Sequence, residues 1–288
     1  MTVWEMMAMF KGKWESIEKD ETRPRRLRNI VKIRFEDLYE KMFSYQSVCE
    51  LIEMLYAGDL LIVQRAFSRE FIVKLKEEIF RWGKDTEDSF HKIYDDVPNF
   101  HRIIDESLRD KYAHESIRHA YYLFPWNEDK FNIMTNVYEK WRILKVLAGL
   151  DSHEYEKNKP NDGIVDRINI AHYPLGCGEM ETHSDPYLYQ RTIMATKMSE
   201  RGKDYSSGGL YFINKDDKKV DIEQETYLGD MYVSYSTVLH GVDVIDKHRP
   251  IDWNDPSGRW FMGLYSTVSD TVKERHTSYG VKLDVATP

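Results

Sequence analysis

The sequence predicts an α+β fold in which helices of the first half pack on an antiparallel β-sandwich or barrel built by the second half. Up to about residue 148, apolar residues recur at mixed spacings of three and four, which is typical of amphipathic helices. After Gly163 the spacing changes to two, and short apolar runs alternate with turn-forming residues. Helices followed by many short strands indicate one cooperative unit over residues 1–288.

The part that we predict to be mainly helical covers residues 1–150. Helices are predicted over residues 35–45, 48–56 and 106–121, and a short buried strand over 60–63. Ser68 has the side chain of an N-cap, so a helix is predicted from there to about Arg81, with Gly83 as its stop. Asn127 is predicted to cap a longer helix over 128–148, which Gly149 ends.

The strand-rich part is predicted to form the core over residues 163–270. Its first strand, over 164–173, alternates apolar and polar residues as a strand with one buried face does. Further strands are predicted over 190–197, 209–213, 224–227, 230–234 and 259–268.

Composition excludes several classes of function. The formal net charge of −8 argues against a nucleic-acid footprint over the surface, and the basic run at 23–28 is interpreted as a solvated loop. No stretch approaches the roughly 18 apolar residues of a membrane helix. Cys49 and Cys177 lie far apart and form no metal spacing, which favours a reducing, cytoplasmic setting. We therefore expect neither a nucleic acid nor a membrane as partner, and the oligomeric state stays open.

His183, Asp185 and His240 are the candidate metal ligands. The triplet His183-Ser184-Asp185 alone is expected about once by chance in a chain of this composition. Residues two apart at a strand end point the same way, however, so both side chains can reach one ion. His240 follows a later strand that could return to them. Two imidazoles and one carboxylate on one face of an ion suit Fe(II) in oxygen-activating enzymes.

These residues belong to an ordered series of motifs between about residues 164 and 268. The series contains Tyr173-Pro174-Leu175-Gly176, His183-Ser184-Asp185, Gly208-Gly209-Leu210-Tyr211, Leu228-Gly229-Asp230, His240-Gly241-Val242 and Gly258-Arg259. In this order it resembles the 2-oxoglutarate- and Fe(II)-dependent oxygenases, especially the prolyl-hydroxylase-like branch. The resemblance covers a little over a third of the chain.

The resemblance implies a double-stranded β-helix, or jelly roll, with iron held by His183, Asp185 and His240. It also implies 2-oxoglutarate as cosubstrate and O2 as oxidant. A basic residue of the family grips the distal carboxylate of 2-oxoglutarate, and Arg259 fits this role because its planar fork suits a carboxylate. Arg249 is the rival, at a spacing from His240 that is common in the family. Tyr173 matches a tyrosine that hydrogen-bonds the cosubstrate, although a buried core tyrosine explains it nearly as well.

The implied activity is hydroxylation, desaturation or ring closure at an unactivated C–H bond, with release of succinate and CO2. Asp185 stands where related halogenases have a small residue, so halogenation is disfavoured. The predicted substrate is a small polar metabolite or amino-acid-like compound; a protein side chain and a non-catalytic metal-binding barrel are the alternatives. Three residues after the chelating turn are candidates for substrate contact, though sheet packing explains them equally well: Tyr187, Tyr189 and Arg191. His172 and His248 lack the spacing of ligands and are interpreted as structural.

Overall fold

The computed structural model describes residues 3–19 and 22–283. Within these residues five α-helices form, and all lie in the first half or just past it: α1 Val3–Ile17, α2 Phe35–Lys41, α3 Tyr45–Tyr56, α4 Arg69–Asp85 and α5 Ile133–Leu147. None of them has the length and the apolar character that crossing a bilayer requires.

Thirteen strands form in the described residues. They are β1 Ile30–Arg34, β2 Leu60–Gln64, β3 Phe100–Ile104, β4 Ser116–Leu123, β5 Ile164–Pro174, β6 Glu179–Ser184, β7 Thr192–Lys197, β8 Gly209–Ile213, β9 Lys219–Asp221, β10 Met231–Tyr235, β11 His240–Asp243, β12 Gly258–Val268 and β13 Tyr279–Gly280. Apart from the parallel pair β1–β2, the named strands pair antiparallel.

The strands form one curled sheet with two layers. The larger layer has the order β1-β2-β10-β7-β12-β5-β4, and the smaller layer has the order β6-β11-β8-β9, with β3 added to β4 and β13 to β6. Strand β4 connects the layers, because Ser116 and Ile117 pair with β6 whereas His119 to Leu123 pair with β5. This arrangement confirms the predicted jelly-roll fold.

The helices cover the outer face of the larger layer, and its inner face is left for a cavity between the layers. Along β12, Met262 and Leu264 belong to the core that the helices share. Their neighbours Phe261 and Tyr265 line the cavity instead. This alternation follows from the two-residue period of a strand. On the helical side, the Trp14 indole of α1 donates to the Leu147 carbonyl at the end of α5 (2.8 Å), which fixes two helices to each other.

Two predicted elements are wrong. The helix predicted over 106–121 is absent, because residues 116–123 form strand β4, which is buried on both faces. Full burial removes the alternation that distinguishes a strand from a helix. The strand predicted over 224–227 is a turn, and the edge strand β9 lies just before it at Lys219–Asp221.

The end of α4 and the start of α5 differ from their predicted positions. Helix α4 begins at Ser68 as predicted, with the Ser68 hydroxyl accepting from Phe71 N–H (3.1 Å), but it continues past Gly83 to Asp85. Helix α5 begins later than predicted, since the Asp129 carboxylate accepts from the N–H groups of Ile133 and Met134 (both 2.9 Å). Asn127, the predicted cap, donates instead to the Val97 carbonyl (3.1 Å).

Candidate metal and cosubstrate site

Neighbouring strands of the smaller layer bring the three predicted ligands together. His183 near the end of β6 is the register partner of His240 at the start of β11, so the two imidazoles stand side by side. Asp185 follows directly after β6, and its N–H donates to the Ser236 carbonyl (3.1 Å). A single strand pairing thus joins ligands that lie far apart in sequence.

The ligand atoms of these residues face one another in a buried pocket. His183 Nε2 lies 3.9 Å from Asp185 Oδ1, and His240 Nε2 lies 3.5 Å from Asp185 Oδ2. The donor atoms all lie within 4.8 Å of one another. All three residues are buried: His183 is 3% exposed, Asp185 6% and His240 8%. Metal–ligand bonds of roughly 2 Å fit a single ion among donors at this separation.

Hydrogen bonds fix both imidazoles with Nε2 free. His183 Nδ1–H donates to the Glu181 carbonyl (2.9 Å), and His240 Nδ1–H donates to the Val238 carbonyl (3.0 Å). A bond from Nδ1 to a carbonyl sets the tautomer whose Nε2 lone pair can bind a metal. Burial, reinforced by the neighbouring His240, lowers the pKa of His183 to about 4, so its ring is neutral at pH 7.

The carboxylate completes a donor set that fits a divalent cation. Asp185 Oδ2 is buried and has no hydrogen-bond partner among the described residues. A buried carboxylate oxygen without a donor is costly in a protein, and a metal ion removes that cost. Asp185 Oδ1 accepts a hydrogen bond from the Ser278 hydroxyl (2.7 Å), which orients the carboxylate. The residues present therefore fit Fe(II) with its remaining positions open.

No protein-family model matches the chain, and no curated protein matches its sequence. Solved structures do resemble it. The full-length thymine-7-hydroxylase of Neurospora crassa in complex with alpha-KG (alpha-ketoglutarate, that is, 2-oxoglutarate) superposes with a TM-score of 0.51 at 13% identity, covering 85% of this chain and 88% of that one. A prolyl-4-hydroxylase of Pseudomonas putida reaches 0.49 at 12% identity, over 76% and 98%. A putative 2OG-Fe(II) oxygenase family protein of Caulobacter crescentus reaches 0.46 at 12%, over 83% and 87%.

The chain has the fold of the 2-oxoglutarate- and Fe(II)-dependent oxygenases. In this oxygenase fold the cavity between the two sheet layers measures about 580 Å³ and contains the three candidate ligands. Tyr173 and Arg259 line the same cavity from β5 and β12. They are register partners on adjacent strands, so both side chains enter the cavity from one face of the larger layer.

Arg259 lies in a buried charge cluster at one end of the cavity. Its Nε donates to Glu223 Oε1 (2.5 Å), and Lys197 Nζ lies 3.0 Å from Glu223 Oε2. Although burial raises it, the charges of Arg259 and Lys197 hold the pKa of Glu223 at about 2. Two cations therefore share one carboxylate, and the cluster keeps a net positive charge for an incoming anion.

The residues around Arg259 explain why glycine precedes it. Gly258 has φ +124°, and a Cβ at this position would lie 2.3 Å from the Tyr173 carbonyl oxygen. A larger residue would push β12 away from β5 where Arg259 enters the cavity. The rival Arg249 is exposed in the loop between β11 and β12 and does not line the cavity.

The three candidates for substrate contact lie outside the cavity lining. Arg191 Nε donates to Glu18 Oε2 (3.0 Å), and its Nη1 donates to the Ala148 carbonyl (3.1 Å), so it joins the helical layer to the sheet. The Tyr187 ring packs against the Arg23 guanidinium at 3.9 Å. Tyr189 is half-buried and does not line the cavity.

Most residues of the cavity lining were not predicted from the sequence, and four of them bear on the site. Arg118 on β4 and Arg167 on β5 line the cavity, as do His114 and Ser278. His114 stacks on His183 with ring centroids 4.5 Å apart. Arg167 lies six residues before Tyr173 on β5, so the two share one face of the strand, and this phase is the signal in the sequence that could have identified it.

Proposed function

We propose that the protein is an Fe(II)- and 2-oxoglutarate-dependent oxygenase that hydroxylates, desaturates or cyclises an unactivated C–H bond of a small polar or amino-acid-like substrate. One observation carries the proposal. The cavity contains two imidazole Nε2 atoms that converge with an unpartnered carboxylate oxygen. It also contains Arg259, whose cluster with Glu223 and Lys197 has a net positive charge. A merely structural role for the histidines would not leave their Nε2 atoms free.

His183, Asp185 and His240 would hold the iron. When bound, iron with 2-oxoglutarate and O2 supplies the oxidation of a C–H bond, coupled to the breakdown of 2-oxoglutarate to succinate and CO2. The protein's contribution is to bind, orient and exclude water. Arg259 receives the distal carboxylate of 2-oxoglutarate, and Glu223, which also pairs with Lys197, holds the Arg259 guanidinium in place. The Tyr173 hydroxyl, which burial keeps protonated by raising its pKa, is the second donor to the cosubstrate.

The size and lining of the cavity support a small substrate. A volume of about 580 Å³ is in the range of small-molecule sites, and cosubstrate and substrate must share it. Residues 90–93, 108, 111–114 and 276–278 line it from outside the two sheet layers. A cytoplasmic location, favoured by the two separate cysteines, is part of the same proposal.

The test is a screen for succinate release by the iron-loaded protein across amino acids, short peptides and small polar acids. We expect stimulation by a small compound, and loss of succinate formation in Asp185→Ala. His248→Ala provides the matched control, because His248 is exposed and does not line the cavity. Undiminished turnover in Asp185→Ala would remove this residue from the ligand set, and stimulation by peptides alone would favour a protein side-chain hydroxylase.

A further inference from the structure

The cavity lining is rich in arginine although the protein as a whole is acidic. Five arginines line it: Arg102, Arg118, Arg167, Arg259 and Arg275. Among the described residues, only two carboxylates line it, namely Asp185 and Asp270. The chain carries a formal net charge of −8, so the positive character belongs to the cavity and not to the surface in general.

Two of these arginines already have carboxylate partners. Arg259 pairs with Glu223, and Arg275 Nη1 pairs with Asp270 Oδ1 (2.5 Å). Asp185, the other carboxylate, faces the two imidazoles of the metal site. No carboxylate of the lining therefore remains for the other arginines.

Arg118 and Arg167 have no ion-pair partner in the part of the chain that the structure describes. Arg118 is 8% exposed, its Nε has no hydrogen-bond partner, and its Nη1 donates to the Met180 sulfur (3.9 Å). Arg167 Nε is buried and unpartnered as well. Its guanidinium lies 5.2 Å from the ring centre of Tyr122 and 5.8 Å from that of Tyr265.

These contacts with neutral groups compensate the buried charges only in part. A guanidinium cannot lose its proton in a protein, so a buried arginine without an anion keeps an uncompensated charge. Stacking on tyrosine rings offsets less than an ion pair with hydrogen bonds does. Burial lowers the pKa of Arg167, and the nearby charge of Arg118 lowers it further. Two cations that repel each other inside a cavity are stabilised by an anion between them.

Strand geometry directs Arg167 to the side of the cavity where substrate would lie. Arg167 and Tyr265 are register partners, and so are Asn169 and Tyr122, on the face of the larger layer that lines the cavity. Arg259 lies six residues from Tyr265 along β12, which is roughly 20 Å at the rise of a strand. Arg167 is therefore remote from the end where Arg259 would hold 2-oxoglutarate.

We propose that Arg118 and Arg167 bind an anionic group of the substrate, a carboxylate or a phosphate, while Phe90, Phe100 and Phe124 pack against its apolar part. This inference rests on the proposed function and names the substrate class of that site. The planar fork of arginine suits both anions, and each oxygen can receive two donors.

The test measures binding of three probes to the Zn(II)-loaded protein, with and without 2-oxoglutarate, by calorimetry and ligand-observed NMR. The probes are 3-phenylpropanoate, phenyl phosphate and the neutral 3-phenylpropanamide. We expect at least one anion to bind about tenfold or more tightly than the amide, because a single hydrogen bond to a charged group typically changes an affinity by this factor. The stronger of the two anions identifies the carboxylate or the phosphate as the preferred group.

Matched variants assign the effect to the two arginines. Arg118→Gln and Arg167→Gln should each weaken binding of the anion about tenfold or more, and leave the affinity for 2-oxoglutarate within about threefold. The anion affinity of Arg118→Lys should lie between those of wild type and Arg118→Gln, because lysine keeps the charge but lacks the planar guanidinium. Arg34→Gln, which changes an exposed arginine on β1, should change neither affinity, and thermal unfolding verifies that each variant is folded.

Three results would overturn the inference. Equal binding of the anions and the amide would remove the anion preference. Anion affinity unchanged in both Gln variants would assign the anion to other residues. A loss of 2-oxoglutarate affinity in Arg118→Gln as large as the loss for the probe would assign Arg118 to the cosubstrate. A separate readout tests the proposed function: the visible charge-transfer band that the protein should give with Fe(II) and 2-oxoglutarate. If this band is present, the proposed function stands in all three cases. If the probes bind but the band is absent, the proposed function alone is contradicted.

Discussion

The Ser278 hydroxyl donates a hydrogen bond to Asp185 Oδ1 over 2.7 Å, so a residue near the C-terminal end of the described chain orients a carboxylate of the candidate metal site. The contact is held by the short strand β13, in which Tyr279 pairs with Ser184 and Gly280 with His183. The C-terminal segment thus supports the strand that carries His183 and directly precedes Asp185.

Ser278→Ala should weaken metal binding. Partners of metal ligands typically contribute 10- to 100-fold in metal affinity, and we expect a loss of about tenfold in Fe(II) affinity by anaerobic competition with a chelator. Ser278→Thr keeps the hydroxyl and should retain most of the affinity. Equal affinity in wild type and Ser278→Ala would show that the hydroxyl does not orient Asp185.

Arg259→Gln should raise the Kd for 2-oxoglutarate, by about 100-fold, because a bidentate ion pair with the distal carboxylate is lost. Arg249→Gln should leave this Kd unchanged, since Arg249 is exposed and outside the cavity. Calorimetry on the Zn(II)-loaded proteins measures both. A loss confined to Arg249→Gln would reverse the assignment.

Glu223→Gln should destabilise the fold by about 3–5 kcal/mol, because Arg259 and Lys197 would keep buried charges without a counter-ion. Urea unfolding of the metal-free protein measures this free energy. Glu200→Gln is the control, since Glu200 pairs with the exposed Arg69 and Lys203 and its loss should cost about 1 kcal/mol or less. A similar small cost at Glu223 would mean that the cluster is dispensable for folding.

His172 should make stability depend on pH. Its Nε2–H donates to the Ser257 carbonyl (2.7 Å), and burial lowers its pKa to about 4. The unfolded chain, with a histidine pKa near 6.5, binds the proton more readily between roughly pH 6.5 and 4. The contribution of this neutral histidine is therefore present above pH 6.5 and is lost as the pH falls through that window, by at most about 3 kcal/mol.

The comparison of wild type with His172→Gln isolates this effect. The free energy of unfolding should decrease more steeply in wild type than in the variant from pH 7 to pH 4, as followed by urea unfolding at each pH. His248→Gln, at an exposed position, should follow wild type. Parallel curves for wild type and His172→Gln would show that this ring does not titrate with folding.

The sequence predicted the strands that carry the site well, because motif and alternation coincide there. The bounds of β5 and β12 are predicted to within one residue. In each strand one face packs against the core and the other lines the cavity, so the residue types alternate. Strand β4 was misjudged for the same physical reason that makes it important. Arg118 and His119 fall within the predicted helix, but on β4 Arg118 lines the cavity, and His119 lies in a buried hydrogen-bonded chain with His101 and Tyr121.

Long-range contacts were out of reach of sequence reasoning. No local pattern indicates that Ser278 would return to Asp185, or that Glu223 would lie between Arg259 and Lys197, because neither pair shares an element. The substrate candidates after the chelating turn do not line the cavity, and one of them, Arg191, binds the helical layer instead. Proximity in sequence to a ligand was a poor guide, and phase along a strand was a better one.

The most direct test of the central claim is an anaerobic optical titration of the protein with Fe(II) and 2-oxoglutarate. We predict a weak visible charge-transfer band in wild type that saturates at one equivalent of each, and no band in His240→Ala. A wild-type protein that binds Zn(II) but gives no band with Fe(II) and 2-oxoglutarate would contradict the account, because the three converging side chains would then bind a metal without the cosubstrate.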